Sequence, residues 1–394
     1  MKIAVVGGAG RQALGAVYDF AEDESVEKLL LIDALPEALE ARVKLVHAEK
    51  VESKVIDVLD TEKLAAALND YDAVINCSTH KLNMPVMDAC IASRTNYTDL
   101  GGLYHWAKEQ LTRHEDFKNA GITGIVGSGV APGMVNVMAK YAADRLDSVE
   151  TVRIYSGIVN RLVKGNQIVP QYAMDTIIDE FTINNFEFRD GEILELPAFS
   201  GEEMIDFAEP VGRQMVYNVV HSEVATIPLA FAHKGIKNVS FRLALPKLFE
   251  EKLRFLLDNG FGSTDPIMIK GHPVAPRDLL IAMVEKPVQY LDRSVPQTHD
   301  DHKDIRVIVV GEKDGRRLTY QVETLLHPYP KWNMACGPFT VGYPGAVTTR
   351  LLGAGKIKEK GFFSGESVID PQMYFDELAK RGIKFFVQVT HDLN

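Results

Sequence analysis

The chain has 394 residues, of which 46% are hydrophobic and 25% charged, and these values are typical of a soluble protein with room for two separate cores. A formal net charge of −11 argues against a nucleic acid as partner, and no apolar stretch approaches the roughly 20 residues of a membrane span or forms the apolar core of a signal peptide. The 3 cysteines, Cys77, Cys90 and Cys336, are too few and too scattered for a disulfide framework or a zinc site, so we expect a cytoplasmic protein without a bound metal.

The first part of the chain alternates short apolar runs with amphipathic stretches. Strands are expected over residues 3–7, 29–33, 54–57, 73–77 and 122–126, and helices over residues 35–46, 61–68, 85–92 and 103–119. Strands that alternate with helices over short connections form a parallel sheet with helices on both faces. We therefore predict an α/β protein whose first domain is a Rossmann-type, doubly wound parallel sheet.

A glycine-rich turn joins the first strand to the first helix of this pattern. Gly8 permits a tight turn, Gly10 lets the backbone approach a pyrophosphate, and Ala13 is small enough for the helix to pack on the sheet. The N-terminus of that helix would face the anion. The turn predicts a dinucleotide site, with a plain tight turn in an unrelated α/β protein as the alternative. Its residues are Gly8, Ala9, Gly10, Arg11, Gln12 and Ala13.

Asp33 ends the second apolar run, 23 residues after Gly10. A carboxylate at this point accepts hydrogen bonds from the adenosine ribose hydroxyls and repels a 2′-phosphate. Because Arg11 would offset part of that repulsion, the sequence favours NAD over NADP without excluding NADP. Alternatively, Asp33 caps the helix that begins near Pro36.

The pattern changes near residues 127–133. Beyond them lie longer alternating segments over residues 152–156, 239–245, 304–310 and 318–325, the last two joined by a hairpin turn at 311–315. From residue 342 the chain is helical again, and residues 384–389 form a short final strand. We predict an NAD-binding domain over residues 1–130, an α+β substrate-binding and dimerisation domain with a mainly antiparallel sheet over 131–340, and a return to the first domain over 341–394.

Candidate catalytic residues follow the fourth and fifth strands of the first domain. Ligands of a doubly wound sheet bind outside the carboxyl ends of its strands, so the nicotinamide should lie near Cys77, Ser78 and Thr79. His80 and Asp99 are then the titratable groups beside the carbon that exchanges hydride. In the alternative interpretations, Asp99 caps the next helix and His80 is a solvated or backbone-bonded histidine.

Several longer motifs resemble the saccharopine dehydrogenase-like family, and the lysine 6-dehydrogenase branch in particular. The resemblance runs nearly end to end. Its motifs are residues 74–76 (VIN), 82–90 (LNMPVMDAC), 96–102 (NYTDLGG), 130–136 (VAPGMVN), 176–180 (TIIDE), 189–191 (RDG), 209–212 (EPVG) and 342–344 (GYP).

The resemblance implies a discontinuous Rossmann domain, completed by the C-terminal segment, and a second domain whose sheet makes a homodimer interface. By motif position, Asp57 and Val58 flank the adenine, Asp99 is the family's acid after the fifth strand, and Pro132 with Gly133 begins the helix that faces the active site. We expect the cofactor to contact Gly8, Ala9, Gly10, Arg11, Gln12, Asp33, Asp57, Val58, Cys77, Ser78, Thr79 and Leu100. We expect the substrate to contact Gly101, Pro132, Gly133, Glu223 and Thr226.

The chain departs from the family pattern near the expected substrate. Residues 79–81 replace a proline-rich turn, Ile227 stands where leucine is common, and residues 334–340 are unusual. Glu223 and Thr226 could be ordinary loop residues. Arg161, Lys164 and Arg213 are each candidates for binding a substrate carboxylate, although most such side chains are solvated.

These observations together predict an NAD-dependent dehydrogenase acting on a CH–NH or CH–NH₂ bond of a small amino-acid or polyamine-type substrate. Oxidative deamination of the lysine ε-amine is the leading hypothesis. One alternative is reductive imine chemistry on saccharopine, carboxynorspermidine or carboxyspermidine, which would require more basic groups in the pocket. A non-catalytic NAD-binding redox sensor is the alternative from another class of protein.

Overall fold

A computed structural model describes residues 1–163, 168–289 and 298–392 of the chain. Lys164, one of the basic residues considered above, lies outside the described residues. No helix in the described ranges is long and apolar enough to cross a bilayer.

The first region alternates strands and helices as the apolar periodicity predicts. Two predictions need correction. The expected helix over residues 103–119 is two helices, because the backbone turns at Thr112, whose hydroxyl donates to the Glu109 carbonyl at 2.6 Å. The third strand lies earlier than residues 54–57, because it is a mostly exposed edge strand without an apolar run. The elements are β1 (Lys2–Val6), α1 (Leu14–Glu22), β2 (Lys28–Asp33), α2 (Pro36–Val46), β3 (Val51–Val55), α3 (Thr61–Leu68), β4 (Ala73–Asn76), a 3₁₀ turn (His80–Leu82), α4 (Asn83–Ser93), β5 (Asn96–Asp99), α5 (Tyr104–Leu111), α6 (His114–Ala120), β6 (Thr123–Val126) and α7 (Met134–Ala143).

The middle region is rich in strands and contains the predicted hairpin. Its turn is at residues 314–315 rather than 311–315, because Gly311 lies within β15 and pairs with Leu318. The elements are β7 (Ser148–Asn160), α8 (Met174–Thr182), β8 (Asn185–Arg189), β9 (Glu192–Leu196), β10 (Ser200–Asp206), β11 (Arg213–Asn218), α9 (Glu223–Ala230), β12 (Asn238–Leu243), α10 (Lys247–Asp258), β13 (Ile267–Ile269), β14 (His272–Val274), α11 (Pro276–Gln289), β15 (Asp301–Lys313) and β16 (Arg316–Leu326).

The C-terminal region contributes to both sheets. It contains α12 (Cys336–Gly353), β17 (Gly361–Ser364), α13 (Gly365–Val368), α14 (Pro371–Ala379) and β18 (Phe386–His391). β17 extends the first sheet beside β6, whereas β18 pairs with β16 of the second sheet. The sequence predicted that residues 341–394 return to the first domain. The final strand instead belongs to the second sheet. Its apolar residues pair with apolar residues of β16, for example Val387 with Val322.

The first sheet has seven strands in the order β17-β6-β5-β4-β1-β2-β3, and every adjacent pair is parallel. Its central strands are buried on both faces: Ile3 and Val5 pack into one core, and Ala4 and Val6 into the other. The strand order reverses between β1 and β4, where the loops after these strands diverge and leave a crevice. The predicted Rossmann-type fold is confirmed.

The second sheet is mixed but mainly antiparallel, as predicted. Its path is β10-β11-β12-β7-β15-β16-β18, with β8 paired to β12 and β9 paired to β8. The adjacent strands β12 and β7 are parallel, and β15 pairs antiparallel with β7 along most of its length. One face of β7, β12 and β15 is turned toward the crevice of the first sheet.

Candidate active site

A cleft of about 700 Å³ lies between the crevice of the first sheet and the face of the second sheet that is turned toward it. The first domain contributes the loops after β1, β4, β5 and β6, including Gln12, Ser78 and Gly101. The second domain contributes alternate residues of β7 and β12 and one residue of β15, Lys303. Since side chains of a strand alternate between its two faces, these residues share the face that forms the floor of the cleft.

The glycine loop after β1 has the geometry of a phosphate cradle. Gly7 has φ of +71°, and a Cβ atom there would lie 2.7 Å from the Ser78 backbone nitrogen, so the loops after β1 and β4 touch only because this position is glycine. The Arg42 guanidinium, on α2, donates to the Ala9 and Gly10 carbonyls at 2.9 and 3.1 Å. These bonds fix the turn in place beneath the start of α1.

Gln12 provides a direct test of whether a dinucleotide fits. Its side-chain amide lines the cleft, yet both its oxygen and its nitrogen are buried without a hydrogen-bond partner in the described structure. Buried amide groups are normally paired, so this one requires a polar ligand. A phosphate or ribose oxygen above the glycine loop would supply the partner. The residues present therefore fit the cofactor that the sequence predicts.

Asp33 closes the second strand beside the same loop. Its Oδ2 accepts from the Ala9 backbone N–H at 3.0 Å and its Oδ1 from that of Leu35 at 3.1 Å. The carboxylate is partly exposed, and each oxygen keeps a further lone pair for a ribose hydroxyl. Asp57 and Val58 follow β3 and lie outside the cleft, with Asp57 exposed and Val58 buried.

Asp99 does not line the cleft, contrary to the catalytic role expected from the sequence. Its side chain is 1% exposed, and both oxygens are fully engaged. Oδ1 accepts from the Gly101 and Gly127 backbone N–H groups at 2.8 and 2.9 Å, and Oδ2 accepts from Gln110 and Tyr97 at 2.7 and 2.9 Å. Asp99 thus connects the loops after β5 and β6 through hydrogen bonds to their backbones, and we interpret it as a positioning residue.

A chain of buried amides extends this network to the loop after β4. Gln110 accepts from Asn83 at 3.1 Å, and Asn83 accepts from Asn76 at 2.8 Å. Asn76 in turn accepts from the Ser78 hydroxyl at 2.6 Å. The loops expected to surround the nicotinamide are therefore held by one continuous set of hydrogen bonds.

His80 borders the cleft, as expected. Its ring packs edge-on against Trp106 with centroids 4.4 Å apart, and its Nε2 is buried without a hydrogen-bond partner among the described residues. Burial lowers the pKa of this imidazole, so it is neutral at physiological pH. Its catalytic role remains a prediction that the geometry permits.

A second cluster of ionisable side chains, Glu180, Glu223 and His221, lies on the other side of the cleft from His80. Glu180 is 2% exposed and accepts a hydrogen bond from the Tyr172 hydroxyl, and its burial raises its pKa to about 7. His221 borders the cleft with its ring stacked on Phe241, and its Nδ1 is bonded to Glu223. Although burial lowers the pKa of His221, the attraction of Glu223 outweighs it and raises that pKa.

Cationic groups are also present at the cleft. Within the described ranges, its lining includes Arg11, Lys81 and Lys303. Lys81 reaches across from the first domain and pairs with Asp175 of α8 at 3.2 Å. Arg161 and Arg213, considered from the sequence, instead pair with Asp300 and Asp206 at 3.7 and 3.6 Å and do not line the cleft.

The predicted site residues fall into two sets. Those that line the cleft are Arg11, Gln12, Cys77, Ser78, Thr79, His80, Leu100, Gly101 and Pro132. Those that do not are Gly8, Ala9, Gly10, Asp33, Asp57, Val58, Asp99, Gly133, Glu223 and Thr226. Glu223 is fully buried behind His221, and the Thr226 hydroxyl accepts a hydrogen bond from Asn136 at 3.2 Å. The sequence predicted that both residues contact the substrate, but neither lines the cleft.

Sequence reasoning missed Tyr172, Glu180, His221 and Lys303. Glu180 ends the family motif at 176–180 and His221 lies shortly before Glu223, but no neighbouring residue in either segment indicates a role for them. Lys303 directly precedes the predicted strand 304–310, and nothing in that run distinguishes it from a solvated lysine.

Enzymes that transfer hydride through a dinucleotide hold it at the switch point of a doubly wound sheet and close a second domain over the reacting end. This chain has that construction. The family described as the saccharopine dehydrogenase NADP binding domain matches residues 3–125, and the saccharopine dehydrogenase C-terminal domain matches residues 129–383. The chain belongs to the saccharopine dehydrogenase family and is an NAD(P)-dependent oxidoreductase acting on C–N bonds.

Individual relatives are more distant. The chain is 27% identical over 361 residues to a carboxynorspermidine synthase of Vibrio alginolyticus, covering 86% of this chain and 83% of the relative. It is 22% identical over 397 residues to a carboxyaminopropylagmatine dehydrogenase of Synechocystis sp., covering 97% and 96%. Among solved structures, saccharopine dehydrogenase (L-Glu forming) of Saccharomyces cerevisiae has a TM-score of 0.74 at 17% identity, with 99% of both chains covered. The homospermidine synthase of Legionella pneumophila in complex with NAD has a TM-score of 0.63 at 12% identity, covering 98% of this chain and 91% of that one.

Proposed function

We propose that the protein forms or oxidises the secondary amine of a carboxylated polyamine. The observation that carries this proposal is the mixed charge of the cleft: the carboxylates of Glu180, Asp175 and Glu285 line it together with the cations of Lys303 and Arg11. A polyamine requires carboxylates, and its carboxyl group requires a cation. The names of both curated relatives also denote carboxylated polyamine-type compounds.

Lysine ε-deamination, the leading hypothesis from the sequence, is replaced by its first alternative. A free lysine has one carboxylate and two amines, whereas the cleft offers three carboxylates and three lysine or arginine side chains among the described residues. The three carboxylates fit the additional amine of a carboxylated polyamine, and the three cations fit the additional carboxylates of saccharopine.

We propose NAD as the preferred cofactor. Bound at the glycine loop, with Gln12 and Asp33 on its phosphates and ribose, it would supply or accept the hydride at the substrate carbon. Support comes from the Asp33 carboxylate, which would repel a 2′-phosphate. The buried Arg42 does not compensate, because its guanidinium is already directed at the Ala9 and Gly10 carbonyls.

The His221–Glu223 pair is proposed to carry the proton. Glu223 holds His221 through Nδ1, leaving Nε2 toward the cleft, and it stabilises the imidazolium. In the reductive direction the imidazolium would protonate the hydroxyl of a carbinolamine, so that water leaves and an iminium carbon is ready for hydride. In the oxidative direction the neutral ring would accept the proton back.

Glu180 is proposed to bind an ammonium group of the substrate. Because its pKa of about 7 lies near neutrality, the carboxyl is protonated and attracts cations poorly at lower pH. We expect KM for an amine substrate to fall as pH rises from about 6 to about 8, until the substrate amines themselves lose their protons.

The test is a panel of initial rates followed by the absorbance of the reduced cofactor. Carboxynorspermidine, carboxyaminopropylagmatine, saccharopine and lysine are each assayed with NAD and with NADP. We expect kcat/KM for a carboxylated polyamine with NAD to exceed that for lysine by roughly tenfold or more. Preference for lysine would restore the deaminase hypothesis, and tight NAD binding without turnover of any compound would indicate a redox sensor.

A further inference from the structure

The ammonium of Lys303 is the most unusual charge in the cleft. Lys303 stands on β15, in the centre of the second sheet, and is 5% exposed while lining the cleft. Within the described ranges no carboxylate lies at ion-pair distance from it, in contrast to Lys81, which pairs with Asp175. A buried cation without a counterion is costly, so its retention requires a partner that arrives from outside the chain.

The charges around Lys303 alternate along the cleft. Burial lowers the pKa of Lys303 most, Cys336 and Asp301 raise it, Arg11 lowers it further, and Glu180 raises it. The Asp301 carboxylate accepts from the Cys336 and Gly337 backbone N–H groups, which leaves Arg11 and Glu180 as the charges that share the cleft with the ammonium. Glu180 also acts on His221, which is bonded to Glu223. The cleft therefore has its cations toward the glycine loop, a carboxylate next, and the imidazole beyond it.

We infer that Lys303 and Glu180 form a binding site for the amino-acid end of the substrate, with its carboxylate on Lys303 and its neighbouring ammonium on Glu180. This inference rests on the proposed function and specifies it further: the carboxylated substrate carries an amino group next to its carboxyl group. The two side chains come from different elements, α8 and β15, and both are more than nine-tenths buried. An amine that lacks the carboxylate would leave the Lys303 charge buried and unpaired, and would be rejected on that account.

The remaining polyamine chain would then extend past His221, where the C–N bond reacts. Phe241 and Leu243 of β12 line this part of the floor and offer apolar contact for methylene groups. Recognition of the carboxylated end by Lys303 is thus assigned to a different residue from the His221–Glu223 pair.

The test compares the binding of carboxynorspermidine with that of norspermidine, which lacks only the carboxylate, by calorimetric titration of the NADH-loaded protein, in which the amine cannot be oxidised. In the unmodified protein we expect the carboxylated compound to bind at least tenfold more tightly. Lys303→Met should weaken carboxynorspermidine binding by roughly 30-fold or more, because one buried charge pair is lost, and it should leave norspermidine binding equally tight or tighter, because no unpaired charge remains. Glu180→Gln should weaken both compounds, because both keep their ammonium groups.

Two controls make the result decisive. Lys50→Met removes an ammonium that bonds the Asp23 and Val26 carbonyls away from the cleft, and it should change neither ligand's affinity. NAD is titrated into each variant separately. Equal weakening of both compounds, or a weakened affinity for NAD alone, would overturn the assignment, the latter because Lys303 would then contact the cofactor. Titration needs no turnover, so a discriminating Lys303 in a protein that fails the rate panel would refute the proposed reaction and leave this binding site standing.

Discussion

Asp99 and Glu180 are both buried carboxylates, and their surroundings give them different roles. Asp99 accepts hydrogen bonds at both oxygens from four groups of the first domain. Glu180 accepts from Tyr172 and lines the cleft, so it has capacity left for a ligand. The contrast lies in how completely each carboxylate is satisfied within the chain. A satisfied carboxylate organises loops, while an incompletely satisfied one is available for binding.

Asp99→Asn tests the positioning role. An amide cannot accept at both ends, so one pair of donors would face an N–H₂ group, and we expect the free energy of unfolding to fall by about 2–4 kcal/mol in urea denaturation. The pH profile of kcat should keep its shape, because no titrating catalytic group is removed. Asp60→Asn, at the exposed N-cap of α3, is the control, since asparagine caps helices as well as aspartate does. Loss of one limb of the pH profile with unchanged stability would return Asp99 to a catalytic role.

Helices α1 and α12 pack unusually closely, and this contact connects the C-terminal region to the cofactor loop. A Cβ atom on Gly342 would lie 2.7 Å from the Ala16 backbone nitrogen and 2.8 Å from the Gln12 carbonyl oxygen. On the facing helix, a Cβ atom on Gly15 would lie 2.6 Å from the Pro338 carbonyl. Glycine at both positions lets the helix axes approach and sets where α1 begins beneath the phosphate loop.

Gly342→Ala should therefore weaken dinucleotide binding from a position outside the site. Relief of the overlap must move α1 or α12, which we expect to lower the unfolding free energy by about 1–3 kcal/mol and to raise the Kd of NADH about tenfold in a fluorescence titration. Gly365→Ala is the matched control, because its Cβ would make ordinary contacts with the methyl groups of Ile369 at 3.4 Å and Val137 at 3.9 Å. An unchanged Kd for Gly342→Ala would show that the phosphate loop does not depend on this contact.

At the scale of the whole molecule, a line of charges joins the two domains at the cleft. Lys81 follows β4 and pairs with Asp175 of α8, while Arg277 of α11 donates to Asp175 at 2.7 Å and to Asp179 at 2.6 Å. Although burial raises the pKa of Asp175, Arg277 and Lys81 together hold it below its ordinary value. The carboxylate is thus charged at neutral pH and available to both domains.

Lys81→Met should affect domain closure more than stability. The pair is half exposed and so contributes below about 1 kcal/mol to folding, but it bridges the two domains at the cleft. We expect KM to rise about three- to tenfold, its dependence on salt to weaken, and the unfolding midpoint to stay unchanged. Lys44→Met, which breaks the pair with Glu40 inside helix α2, should alter none of these. A lowered midpoint with unchanged KM would contradict a role in closure.

The sequence predicted those parts of the fold and site that depend on residues close together in the chain. The apolar run of β1, the glycine turn and Asp33 at the end of β2 lie within one βαβ unit, so their spacing alone indicates a dinucleotide fold. Residues 77–80 and 100–101 follow strands of the same sheet, and they line the cleft because parallel strands end at one edge. For β3 the predicted bounds were wrong, since an exposed edge strand lacks the apolar run of a buried one. The final strand was predicted, but its pairing with β16 of the second sheet was not, because pairing depends on residues far apart in the sequence.

The sequence by itself determined the family, the parallel sheet and the cofactor side of the cleft, because each depends on local geometry that a short motif specifies. Only the tertiary structure decided the substrate side. Glu180, His221 and Lys303 come from α8, the segment before α9, and β15, and nothing in their local sequence distinguishes them from solvated side chains. Burial by distant segments shifts their pKa values and leaves Lys303 without a described carboxylate partner. Burial depends on how distant segments pack, and a short motif does not specify it. For this reason the sequence did not indicate that Asp99 is buried beneath its loops or that Glu180, His221 and Lys303 line the cleft.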